Sequence, residues 1–222
     1  MHTELNHVMP WRIEDIDLTR IDRQKAVANE DLLLLLCAAS FIESGTDLYT
    51  SNLSTFFDGD PEVSAWLNQE WEPEEMQHGR ALKTYIAYVW PEFDWDTAFS
   101  NFMEEYSLTC SVEDFEKTRA LEMVARCVVE TGTATLYRAI GECSDEPVLK
   151  QITDNIRTDE VRHYKHFFQV LQEVQQDRRQ WPSCGSRRVD AACDGDQERR
   201  LGDRLASCLR DSLSGTRARF GL

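Results

Sequence analysis

Two Glu-x-x-His motifs, each set in an apolar helical stripe, constrain this chain more than any other feature. Glu75-Met76-Gln77-His78 and Glu160-Val161-Arg162-His163 each put a carboxylate and an imidazole three residues apart, on one face of a helix. Two further stripes carry a single mid-helix glutamate, Glu43 and Glu130. The stripes run Leu32, Leu36, Ala39, Glu43, Thr46, Thr50, Leu53, Phe57, then Leu67, Trp71, Glu75, His78, Leu82, Tyr85, Val89. The third is Met123, Cys127, Glu130, Ala134, Tyr137, and the fourth is Leu149, Ile152, Ile156, Glu160, His163, Phe167, Val170. Steps of three and four predict long helices. Acids on apolar faces must be compensated, because burying an unpaired carboxylate is very costly.

The connections predict how these helices are joined. Asp58-Gly59-Asp60-Pro61 and the stretch from Gly141 to Pro147 are short and turn-rich, which makes antiparallel hairpins of stripes one with two and three with four. Pro91 to Asp114 is too long for a turn and predicts a crossover from one end of the bundle to the other. Hairpin, long crossover, hairpin is the order of an all-α, ferritin-like four-helix bundle. Residues 1–29 read as an N-terminal arm, 30–180 as the bundle and 181–222 as a peripheral tail. Residues 183–222 hold eight Arg, no Lys and six acids, for a charge of +2, against −18 for the rest. Pro73, just before Glu75, predicts a kink or the true start of its helix.

Charge and cysteine usage exclude several classes. With 24 basic and 40 acidic residues the net charge is −16, which repels phosphate backbones and anionic lipid. Nucleic acid and membrane are therefore not expected partners. The longest apolar run, from Leu32 through Ala39, is far short of the roughly 20 residues a membrane helix needs. No basic segment followed by an apolar stretch opens the chain, so a cytoplasmic protein is expected. Seven cysteines with no C-x-x-C pair predict reduced, structural thiols rather than a thiolate metal site.

Aligning the stripes shows an internal duplication. Glu43-Ser44-Gly45-Thr46 echoes Glu130-Thr131-Gly132-Thr133, and Glu74-Glu75-Met76-Gln77-His78 echoes Asp159-Glu160-Val161-Arg162-His163. Glu43 and Glu75 stand 32 residues apart, and Glu130 and Glu160 stand 30 apart. One Glu from each of two helices with Glu-x-x-His from each of the other two is the ligand set of carboxylate-bridged di-iron bundles. Four carboxylates also neutralise two divalent ions. Oxygen-rich donors with one imidazole per metal suit iron, with manganese as the alternative, better than copper or thiolate-bound zinc. Glu43, Glu75, His78, Glu130, Glu160 and His163 are the expected ligands.

The neighbours carry two readings each. Asp159 and Glu74 are placed to accept a hydrogen bond from a ligand His of the facing helix, or are solvated acids. Thr133 faces the metals as a proton donor, or bonds its own helix backbone. Gly45 and Gly132 open space beside the metals, or serve close helix packing. The aromatic run Trp66, Trp71, Tyr85, Tyr88, Trp90, Phe93 and Trp95 carries electrons or fills the core. His2, His7 and His166 have no partner pattern and read as surface residues.

These motifs resemble those of the soluble acyl-acyl-carrier-protein desaturases of the ferritin-like superfamily, over roughly residues 30 to 172. Asp159-Glu160-Val161-Arg162-His163 is similar to that family's D-E-x-R-H. Glu74-Glu75-Met76-Gln77-His78-Gly79 is similar to its E-E-x-R-H-G, with Gln77 replacing Arg, and Glu130-x-x-Thr133 to its E-x-x-T. The resemblance implies two iron ions on the six expected ligands, Thr133 associated with oxygen activation, and Asp159 with His78 as part of an electron path. It implies desaturation or hydroxylation of an acyl substrate held by acyl carrier protein, an external ferredoxin-type or reductase donor, and a homodimer or a monomer. The Glu43 segment matches only loosely and Pro73 has no counterpart. A small-molecule di-iron oxygenase and a ferritin-like iron-oxidising protein use the same ligands and stand as alternatives.

Overall fold

The computed structural model of the chain describes residues 8–179, and among these the fold is all-α, with no strand. Two 3-10 turns, Ile13–Asp15 and Leu18–Arg20, precede α1 (Arg23–Ala26), α2 (Glu30–Ser44), α3 (Thr46–Phe56) and α4 (Pro61–Trp66). A π-helical turn, Leu67–Trp71, runs into α5 (Glu72–Val89). Then come α6 (Trp95–Tyr106), a 3-10 turn at Val112–Asp114, α7 (Arg119–Cys143) and α8 (Pro147–Arg179). The 181–222 tail, with Cys184, Cys193 and Cys208, lies outside the described residues, as do His2 and His7.

Side chains set the helix starts. Asn29, Asp60, Asp94 and Thr118 each accept a hydrogen bond from a backbone N–H in the first turn of α2, α4, α6 and α7. The buried Glu146 carboxylate accepts the N–H groups of Leu149 at 2.7 Å and Val148 at 3.2 Å, which places negative charge at the N-terminus of α8. It also accepts Asp22 N–H at 3.2 Å, tying the arm to that helix.

Packing brings the helices together in pairs, α2 with α5 and α7 with α8. Contacts between the two ends of each element give the directions. Trp90 at the end of α5 donates to Val27 before α2 at 3.0 Å, while Ser40 reaches Gly79 O at 3.3 Å, so α2 and α5 are antiparallel. Gly141 faces Thr153, and Glu130 faces His163, so α7 and α8 are antiparallel too. Glu74 meets His163 while His78 meets Asp159, which makes α5 antiparallel to α8.

The core has two apolar clusters. One is built by α2, α5, α6, the end of α7 and the start of α8, around Leu36, Phe41, Leu82, Ile86, Trp95 and Ile152. The other is built by α3, α4, the π turn, the start of α7 and the end of α8, around Leu53, Phe57, Trp71, Met123 and Phe167. The mid-helix acids stand between the two. No single described helix is long and apolar enough to cross a membrane; the bent pair α2 and α3 passes by composition, but its apolar residues lie largely in the core. Cys37, Cys110 and Cys127 are buried free thiols, and Cys143 is exposed.

Two expectations need correction. The first stripe is not one helix, because the chain bends by 43° at Gly45, between α2 and α3. A Cβ there would stand 3.1 Å from Met103 Sδ of α6, so Gly45 serves close packing. Gly132 instead faces open space, with nothing within 4 Å of its Cβ position, so it does not open the centre. Pro73 behaves as expected, occupying the first turn of α5 directly after the π turn.

The tightest helix contact is at Gly79, where a Cβ would lie 2.3 Å from Ser44 Oγ and 2.8 Å from Ser44 N. Gly79→Ala is expected to destabilise the fold by about 1–3 kcal/mol through overpacking. Gly132→Ala, on an exposed helical position, should be neutral or stabilise by up to about 1 kcal/mol. Urea unfolding of the two variants checks this; equal effects would contradict the packing described.

Candidate metal centre

Each of α2, α5, α7 and α8 delivers its acids by helical periodicity alone. Glu43 closes α2 just before the Gly45 bend, Glu75 and His78 share a face of α5, Glu130 stands mid-α7, and Glu160 and His163 share a face of α8. All six residues are buried, none more than 6% exposed. Their donor atoms fall into two overlapping groups whose members lie within 4.8 Å of one another: Glu43, Glu75, His78 and Glu160, then Glu75, Glu130, Glu160 and His163. Glu75 and Glu160 belong to both. The six expected ligands are thus brought together.

The imidazoles are oriented from behind. His78 Nε2 lies 3.0 Å from Asp159 Oδ2 and His163 Nε2 lies 2.7 Å from Glu74 Oε2. Each carboxylate accepts the Nε2–H and leaves Nδ1 turned inward. His78 Nδ1 is then 3.2 Å from Glu160, 3.8 Å from Glu43 and 4.0 Å from Glu75. His163 Nδ1 is 2.8 Å from Glu75 and 3.5 Å from Glu130. Donors around one cation at about 2.1 Å stand roughly 3 Å apart, so these separations suit cation binding. Asp159 and Glu74 are therefore partners of the imidazoles rather than solvated acids.

The arrangement leaves specific atoms unsatisfied. Glu75 Oε1, His78 Nδ1, Glu130 Oε2, Glu160 Oε1 and His163 Nδ1 are buried and make no aligned hydrogen bond. These five belong to the two groups; Trp71 Nε1, Tyr85 OH and Arg126 Nε are the other such atoms among the described residues. A native core rarely leaves such atoms unpaired, and a divalent cation in each group would satisfy the five. The donor set fits metal ions.

Electrostatics point the same way. Burial, then the charges of Glu160 and Glu43, drives Glu75 well above the ordinary carboxylate range. Burial and Glu130 push Glu160 up to about 8. Burial disfavours the charged forms of His78 and His163, but the carboxylates around each imidazole outweigh it and raise both. Burial also works to raise Glu74, yet His163 and Arg162 outweigh it and hold its carboxyl down at about 2. Glu43 is likewise lowered against its burial by His78, Glu75 and Tyr137. Without metal, then, the cluster lowers its charge by holding protons.

Other residues complete the centre. Thr133 Oγ1 donates to Glu160 Oε2 at 2.6 Å and also lies 3.1–3.2 Å from the Glu130 and Val129 carbonyls, so both of its expected contacts are present. Arg162 bonds Glu74 and Asp159 together, the latter at 3.0 Å. Three features escaped the sequence reading. Trp11, in the arm, donates to Asp159 Oδ2 at 2.7 Å and stacks parallel to His78 at 6.2 Å. Gln77, which replaces the expected Arg, donates to Trp11 O at 2.8 Å and so holds that indole. Tyr137 donates to Glu43 Oε1. Only Tyr137 had a usable signal, standing seven residues after Glu130 on the same helix face. His166 is not a surface residue as expected; it is half-buried and stacked on Trp66 at 3.8 Å. Of the aromatic run, Tyr88 is exposed and the others fill the core or its edge.

Comparison of the chain with protein-family models, curated proteins and solved structures finds no match.

Metal binding must displace the protons held by Glu75, Glu160, His78 and His163. Affinity for Mn²⁺ or Fe²⁺ is therefore expected to rise as pH is raised toward about 8, where Glu160 gives up its proton unaided. Calorimetry at neutral pH in buffers of different ionisation enthalpy should show proton release; binding independent of pH would contradict this.

Proposed function

We propose that this chain is a ferritin-like, carboxylate-bridged di-iron oxidoreductase that uses dioxygen to desaturate or hydroxylate an acyl-type substrate. The reading is carried by the two overlapping donor groups, which share Glu75 and Glu160 and give each position one imidazole. Glu43 and Glu130 would be the terminal carboxylates. This oxygen-rich set suits iron, with manganese as the alternative occupant. The helix directions support the ferritin-like arrangement: α2 against α5, α5 against α8 and α8 against α7 leave α5 and α7 parallel, as a long crossover requires.

A reduced iron pair, when bound, supplies electrons to dioxygen and an oxidant able to take hydrogen from an unactivated carbon. The protein's residues prepare for this. Asp159 and Glu74 fix the tautomer and orientation of His78 and His163. Thr133 holds a proton at Oγ1 beside Glu160. The two apolar clusters on either side keep water from the centre. Trp11, half-buried, joins to His78 through Asp159 by hydrogen bonds of 2.7 and 3.0 Å, which gives electrons a route inward. An external ferredoxin-type or reductase partner would supply them. The acyl substrate, its carrier protein and a homodimeric or monomeric state rest on the motif resemblance.

A single turnover tests the reading. Iron-loaded protein is reduced chemically, exposed to oxygen with carrier-bound or free acyl chains, and the lipids are examined by mass spectrometry. Loss of a hydrogen pair or gain of an oxygen is expected; recovery of unaltered chains from every acyl form would contradict it. Trp11→Phe should slow reduction by a protein donor about 10-fold or more while leaving this chemically primed turnover intact.

A further inference from the structure

Tyr137 has no part in the reading above. It stands two turns beyond Glu130 on α7, facing inward, with its side chain 1% exposed. Its phenol donates a hydrogen bond to Glu43 Oε1, on one of the proposed terminal ligands.

A phenylalanine would fill this space equally well, so the hydroxyl needs a reason. Removing an electron from a phenol is difficult unless its proton leaves at the same time, and Glu43 is a base already in contact with that proton. The electron would cross a single ligand to reach the metals. Trp11 differs, because it is half-buried and stacked on His78, which suits passing charge through. Among the described residues, by contrast, the Tyr137 ring stacks on no other aromatic ring, so charge placed there has no ring-to-ring way out.

We propose that Tyr137 is a one-electron donor to the centre and stores the oxidising equivalent as a neutral tyrosyl radical. The inference rests on the di-iron reading, with the oxidant being the metal pair after oxidation by dioxygen. The Tyr137 O–H bond breaks and its proton forms an O–H bond at Glu43 Oε1. Its electron reduces the metal pair by one equivalent, and Tyr137 is oxidised by one. Return of an electron from the external donor and of the proton from Glu43 restores the phenol.

The test loads the full chain with ferrous iron without oxygen, mixes it with oxygen, freezes it at intervals and records electron paramagnetic resonance beside iron per chain. A tyrosyl signal is expected in the wild-type protein, and its hyperfine splitting should collapse when the chain is made with ring-deuterated tyrosine. Tyr137→Phe should keep the iron content and lose the signal. Should that variant fail to fold, the signal must survive in the Phe variant of each of the other five tyrosines, Tyr49, Tyr85, Tyr88, Tyr106 and Tyr164. Iron that is bound and oxidised with no organic radical would overturn the proposal, as would a signal unchanged in Tyr137→Phe. A chain that takes up no iron would overturn the di-iron reading first, and this inference with it.

Discussion

Four carboxylates and two imidazoles face one another in a layer buried between two apolar clusters, and the rest of the fold is arranged around that layer. Isolated buried carboxylates cost far more than a domain's whole stability, so positive charge must enter with them, as protons or as cations. The structure chooses partners for only half of each imidazole. Nε2 is given a carboxylate and Nδ1 is turned toward the acids of the two donor groups, where either a proton or a cation can sit between them.

The duplicated halves of the centre are alike at the two donor groups and differ behind them. Asp159 and Glu74 play matching parts, and Arg162 ties the two carboxylates together. Beyond that, the His78 side continues to Trp11, while the His163 side is flanked by the edges of Trp66 and Trp71. Gln77 is part of the difference: an arginine there would bring a second guanidinium, whereas the amide holds the Trp11 backbone in place. The duplicated scaffold is thus asymmetric behind its two imidazoles.

Much of this was legible in the sequence because helical period is a local property. Leu36, Ala39, Glu43, Thr46, Thr50, Leu53 and Phe57 are all buried, as the stripe implies, even though the helix bends at Gly45. Glu75 with His78, and Glu160 with His163, follow from their spacing, and Asp159 and Glu74 from their place before the ligands. What stayed hidden depends on contacts between distant segments. The Gly45 bend reflects Met103 of α6, and the need for Gly79 reflects Ser44 of α2. Trp11 approaches from an irregular arm with no periodicity to announce it, 148 residues before its partner Asp159.

The central claim is that this layer binds a pair of metal ions. The most direct measurement is an anaerobic ferrous titration of the metal-free protein, counting tightly bound iron per chain. The account predicts saturation at about two, one per donor group, and loss of tight uptake at one position in Glu130→Ala or His163→Ala. No specific uptake would contradict it, as would metal content unchanged in those variants. Continued uptake on adding oxygen, far beyond two, would contradict the substrate-oxidising reading in favour of iron handling.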